Sequence, residues 1–131
     1  MNEKVAISIW NKRISPVMDT ASQFLIFKVD NEHQVVFREI VEIPPTNISN
    51  RVRNLLSHEI TILICGAISR HLEQALSASG IDVQPFLGGN VEDITMAYSK
   101  GTFNSDNYLL PGCRRGHRRG KRSRFNRKQI R

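Results

Sequence analysis

Apolar and polar residues alternate along "KVAISIW", which puts Val5, Ile7 and Ile9 on one face and Ala6, Ser8 and Trp10 on the other. That period of two predicts a strand. "NKRISPVMDTAS" breaks the alternation: Pro16 disfavours regular pairing, and Ser15, Asp19, Thr20 and Ser22 favour turns, so residues 11–22 read as a loop. "QFLIFKVDNEHQVVFREIVEI" then supplies two β-branched and aromatic runs, 24–29 and 35–43, joined across "DNEH" as a hairpin that Pro44 and Pro45 end.

Beyond the prolines the period lengthens. In "TNISNRVRNLLSHE", Thr46 or Asn47 caps a helix whose apolar face is expected to be Ile48, Val52, Leu55 and Leu56. "ITILIC", residues 60–65, is continuously apolar, as in a strand covered on both faces of a sheet. "SRHLEQALSASG" predicts a second helix with Ser69 as N-cap, Leu72, Ala75 and Leu76 inward and Gly80 as the stop. "IDVQPF" is a short strand, which Pro85 places at an edge or strand end. "GGNVEDITMAYSKG" gives a third helix capped by Asn90, with Glu92 and Asp93 in the first turn, Val91, Ile94 and Tyr98 inward, and Gly101 closing it. The order β, β, β, α, β, α, β, α predicts an α/β domain with a mixed five-stranded sheet and three helices. Ligands of such sheets bind beyond the carboxyl ends of the central strands. Three loops are expected to converge there: residues 11–20, "CGAIS" and "FLGGN".

Charge divides the chain in two. Its 131 residues hold 19 Lys plus Arg against 12 Asp plus Glu, but the last nineteen, "CRRGHRRGKRSRFNRKQIR", contain ten basic residues and no acid. Subtracting them leaves 9 against 12, or net −3, so the excess belongs to the tail. We therefore expect a folded domain over residues 1–105 and a basic, disordered tail over 106–131. The tail's Arg114, Arg115, Arg118, Arg119, Lys121, Arg122 and Arg124 are candidates for contact with nucleic acid or an acidic protein through counterion release. Two cysteines are too few for a disulfide framework or a four-cysteine zinc site, which points to a reducing cytoplasm. The N-terminus lacks the apolar core of a signal peptide, and no stretch reaches the roughly 18 apolar residues of a membrane span. Monomer and dimer both stay open.

The "SP" loop between "VAISIW" and "FLIFKVD", the "ILICGAI" strand-to-helix turn and the spacing from "ALSASGIDV" to the closing helix resemble the dinitrogenase iron-molybdenum cofactor biosynthesis protein family over about residues 3–103. The resemblance implies a ribonuclease H-like fold with strand order 3-2-1-4-5, counting the five predicted strands along the chain. It also implies a small binding protein of iron-sulfur or iron-molybdenum cluster assembly, which holds a cluster or precursor and meets other cluster-assembly proteins. Many relatives have His then Phe after "SP"; this chain has Val17 and Met18. A Gly-rich "GGIGPGA" turn in relatives is "CGAISRH" here.

The candidate site follows from the loops. Ser15, Met18, Asp19, Gly66, Ala67, Ser69, Gly88, Gly89 and Asn90 are the expected ligand-binding set, with glycines and two helix N-termini turning backbone N–H groups toward an anion. Cys65 at a strand end, Cys113 in the tail and His71 in the first turn of the second helix are the candidate metal ligands. Simpler roles exist for each: a core thiol, caps for Ser69 and Asn90, a gap-filling Met18 and an exposed His71. Catalysis is not expected. "VAISIW" carries no carboxylate for two-metal chemistry, Ser15 and Thr20 have no evident His and Asp partners, and no P-loop is present.

Overall fold

The computed structural model of the chain describes residues 3–110. Along them run β1 (Glu3–Trp10), β2 (Arg13–Ile14), β3 (Gln23–Val29), β4 (Val35–Glu42), α1 (Ile48–Ser57), β5 (Ile62–Ile64), α2 (Arg70–Ala78), β6 (Asp82–Gln84) and α3 (Val91–Ser99), with 3-10 turns at Met18–Thr20 and Ser105–Tyr108. The sheet is mixed and open, and its order is β4-β3-β1-β5-β6. β1 lies at the centre, antiparallel to β3 and parallel to β5, and β6 continues the parallel half.

The sheet has six strands rather than the five expected from the pattern. The extra one is β2, which folds back on the end of β1 with Ile14 opposite Ile9 and Arg13 opposite Trp10. Asn11 and Lys12 make this reversal at φ 53° and 67°. A two-residue turn with both residues left-handed suits the twist of a hairpin. Lys12 hides it, because the usual signature at that place is glycine, and two paired residues are too few to show a period.

Two apolar layers flank the sheet. Ala6, Phe24, Ile26 and Leu63 face α1 and α2, where Val52, Leu55, Leu72 and Leu76 meet them. Val5, Ile7, Leu25, Phe27 and Ile64 face α3 and pack on Val91 and Ile94. Packing on this second layer continues through Phe103, Tyr108 and Leu109, beyond the residue-105 boundary expected from sequence. Phe103 stacks on Tyr108 with ring centres 5.5 Å apart, and Leu109 bridges to Leu87.

Asn47, Ser69 and Asn90 cap the three helices by accepting from backbone N–H groups of their first turns. The face of α1 departs from its apolar pattern. Ile48 and Leu56 are 39% and 40% exposed, whereas Arg51 is 1% exposed. Its guanidinium donates to the carbonyls of Met18 (2.8 Å), Ile43 (3.0 Å), Pro44 (3.4 Å) and Ala21, and it stacks over Phe24. A cation can be buried there because those carbonyl oxygens replace part of its water.

Candidate functional site

At the carboxyl ends of β1, β5 and β6 the chain makes three loops, and backbone hydrogen bonds join them into one rim. The 11–20 loop runs across the sheet end. Ser15 N–H donates to the Ser8 carbonyl (2.8 Å), Ala67 N–H to Pro16 (2.8 Å), and Met18 N–H to Ala67 (2.7 Å). On the other side Ile14 N–H donates to the Gly89 carbonyl (3.0 Å) and Val91 N–H to Lys12 (2.9 Å). Phe86 N–H to Gly66 (2.8 Å) and Leu87 N–H to Cys65 (3.0 Å) tie the loop after β6 to that after β5.

Gly66 is required by this closure: a Cβ there would lie 2.6 Å from the Pro16 carbonyl oxygen. Real Cβ atoms do not approach that closely, so any side chain would push the loop away. Gly89 adopts φ +133°, and a Cβ on Gly88 would meet Leu110 at 2.8 Å. These glycines bring chain segments of this protein against one another.

The expected ligand-binding residues are thus brought together, with several of their polar groups engaged within the rim. Asp19 accepts from Ser69 N–H (2.8 Å), and Ser69 Oγ accepts from Leu72 N–H (3.3 Å). Asn90 Oδ1 accepts from Glu92 and Asp93 N–H at 2.8 and 3.2 Å. Leu72 N–H in α2 and Glu92 and Asp93 N–H in α3 therefore have internal acceptors, as the cap reading of Ser69 and Asn90 anticipates. Ser15 is buried beneath the loop, its Oγ donating to Val17 O at 3.4 Å.

Met18 and Cys65 are both 0% exposed, in the layer facing α1 and α2. Extending the β1–β5 register by one residue puts Ser8 beside Cys65. Ser8 is fully buried, and its Oγ has no partner among the described residues. His71 is exposed on α2. Among the described residues no group of three or more His, Cys, Asp or Glu converges as metal ligands would. Cys113 and the candidate tail residues Arg114, Arg115, Arg118, Arg119, Lys121, Arg122 and Arg124 lie outside the described residues.

Two clefts flank the rim. One, of about 420 Å³, is lined by Ile9, Trp10, Ser15, Pro16, Val17, Thr20, Ala21 and Ser22. The other, of about 550 Å³, has an apolar floor of Ile9, Leu25, Ile40 and Val91 and a polar margin of Asn11, Lys12, Gln23, Arg38 and Glu92. Arg38 and Glu92 form an ion pair across its mouth. Sequence reasoning singled out Ser15 but missed Trp10, Lys12, Arg38 and Arg51. The exposed Trp10 at a strand end was the one visible signal, since Arg38 enters only through the pairing of β3 with β4.

Burial pushes the Arg51 guanidinium below its usual pKa, and nearby Asp19 opposes that shift. Arg51 holds the carbonyls of Met18 and Ala21, so the 18–21 wall of the smaller cleft is fixed from inside the core.

A mixed open sheet with a stitched loop rim at the carboxyl ends and clefts beside its first strand defines a small α/β domain. The chain belongs to the dinitrogenase iron-molybdenum cofactor family, whose model matches residues 1–101. Solved structures of similar shape include a protein from Methanocaldococcus jannaschii provisionally described as a dinitrogenase, at 22% identity and TM-score 0.62, covering 79% of this chain and 94% of that one. A Thermotoga protein provisionally described as NifB has 25% identity and TM-score 0.57 over 85% and 99%. The apo form of the orange protein from Desulfovibrio gigas has 20% identity and TM-score 0.60 over 79% and 92%. No curated protein matches the chain.

Proposed function

We propose that the chain is a small, non-catalytic carrier in iron-molybdenum or iron-sulfur cluster assembly, holding an anionic cluster or precursor as cargo at the carboxyl ends of its central strands. Membership of the family supports the cargo class. The observation that carries the reading is the rim: backbone bonds pin loop 11–20, with Lys12, Arg13 and Ser15, to the loops after both β5 and β6. That leaves a fixed surface with exposed Lys12 and Arg13 beside two clefts.

The residues present fit cargo held by shape and charge better than cargo enclosed by a full set of protein ligands. Cys65 is the one described thiol and is buried. An anionic cluster seated in the larger cleft against Lys12 gains attraction in a partly desolvated setting, while the apolar floor of Ile9, Leu25, Ile40 and Val91 excludes water from one side. Cys113, outside the described residues, would be the thiol supplied from the tail.

Anaerobic reconstitution of the intact chain with iron and sulfide, with and without molybdate, tests this reading through metal content and absorbance after desalting. Retained cluster in the intact protein and in Cys65→Ala is expected, with loss of retention on reversing Lys12 and Arg13 to Glu. Absence of metal from the intact chain would sink the carrier reading.

A second reading rests on the charge division of the sequence, ten basic residues and no acid in the last nineteen. In it the domain is a scaffold and the tail binds nucleic acid or an acidic protein. Binding of RNA and DNA followed against salt distinguishes it: a steep salt slope that vanishes when the tail arginines become Gln supports this role, and equal binding by both proteins refutes it.

A further inference from the structure

β4 is an edge strand: among the described residues it pairs with β3 and with no other strand. All eight of its residues but Val41 are exposed, and its exposed apolar side chains include Ile40 at 62% and Val36 at 54%. An uncovered edge of this length offers alternate N–H and C=O groups to another strand, and stable proteins cover or blunt such edges. β4 has no proline, and its charged residues, Arg38, Glu39 and Glu42, guard it only against a strand whose charges do not match. The irregularity opposite Lys28 and Val29 affects only its beginning, so residues 37–42 keep regular register.

We propose that two copies of this chain pair antiparallel along β4, centred on Ile40, to form a dimer with one continuous sheet. The register follows from charge. Side chains two residues apart share a face, so Arg38, Ile40 and Glu42 lie on the face toward α3. A two-fold axis perpendicular to the sheet sets residues directly opposite whose numbers add to an even total. Centring on Arg38 or Glu39 opposes like charges, which is destabilising. Centring on Phe37 runs the pairing back into the irregular start of the strand. Centring on Ile40 opposes the two Ile40 side chains and places Arg38 of each copy against Glu42 of the other, giving two unlike pairs and no like pair.

Both charged groups have capacity left. Arg38 uses one nitrogen on Glu92, and a guanidinium carries five donors. Glu42 accepts from Gln23 through Oε2, leaving Oε1. Arg38 and Ile40 also line the larger cleft, so pairing adds the second copy's strand to its outer wall. This inference is independent of the cargo proposed above.

Sedimentation equilibrium of the full chain, repeated on charge variants, tests it. The native chain is expected to be dimeric, and Glu42→Arg or Arg38→Glu alone to weaken dimerisation at least about tenfold. The double swap Arg38→Glu with Glu42→Arg should restore it, and Ile40→Lys should give monomers. These side chains are exposed, so far-UV circular dichroism should confirm that each variant is folded. Glu42→Arg serves as the cleaner single change, because Arg38→Glu also repels Glu92. A native monomer at every concentration overturns the proposal, as does a dimer indifferent to the single reversals or not rescued by the swap. Protection from hydrogen exchange, in a monomer, of those β4 amides that point away from β3 would also overturn it, since another part of the same chain would then cover the edge.

Discussion

Replacing Arg51 by Met keeps a long flexible side chain but removes the cation that holds two loops to α1. The guanidinium donates to buried carbonyls of Met18, Ala21 and Ile43 and, more weakly, to Pro44. The Met18 carbonyl keeps its bond from Ala21 N–H (3.2 Å), but the buried carbonyls of Ala21 and Ile43 lose the guanidinium at about 1–3 kcal/mol each. Against that, burial of the guanidinium itself costs several kcal/mol, which Met does not incur. The carbonyls belong to the backbone and cannot be exchanged for apolar groups, so the loss should outweigh the relief by about 1–2 kcal/mol. This is a sizeable part of the roughly 5–15 kcal/mol stability of a domain, equivalent to a fall in Tm of about 4–16 °C. Arg51→Lys keeps the charge without the fork and should lie between the two. Burial lowers the guanidinium pKa from its ordinary value, but arginine stays protonated in proteins, so its contribution to stability changes with pH only under strongly alkaline conditions. The stability difference between the native protein and the Arg51→Met variant should therefore be flat between about pH 6 and 9. Urea unfolding gives the free energies, and hydrogen exchange should show faster opening of residues 18–22. An Arg51→Met variant within about 0.5 kcal/mol of native, or one whose 18–22 amides exchange unchanged, would refute the role assigned to Arg51.

Gly66→Ala should destabilise by about 1–3 kcal/mol through overpacking and loosen loop 11–20, read by urea unfolding and exchange at Ala67 and Met18. Asn90→Ala removes the cap of α3 and should lower stability by about 1 kcal/mol in the same assay. In a Cys113→Ser chain the remaining thiol, Cys65, should resist a thiol-specific reagent until denaturant is added, because it is fully buried; prompt reaction in the folded state would show that the rim opens readily.

Residues with strong local signals were legible in the sequence. The alternation of β1, the hairpin runs of β3 and β4, and the caps Asn47, Ser69 and Asn90 stand in the structure where pattern and capping chemistry put them. What escaped depends on contacts distant along the chain. Arg51 looks like part of a solvated helix face until residues 18, 21 and 43 arrive to accept from it. Its burial shifts the inward face of α1, leaving Ile48 and Leu56 half exposed. β2 is too short for a period, and Arg38 reaches the larger cleft only because β4 pairs with β3. Convergence of the three loops could be expected from the order of elements; their mutual hydrogen bonds could not, since these depend on how closely Gly66 lets Pro16 approach.

Anaerobic backbone NMR of the intact chain, titrated with iron and sulfide in the presence of molybdate, tests the carrier role most directly because it reports both binding and place. Shifts or broadening concentrated in residues 9–22, 65–69 and 87–91, with metal retained after desalting, are the expected result. Spectra unchanged at those residues, or changes confined to residues 111–131, would contradict a cargo site at the carboxyl ends of the central strands.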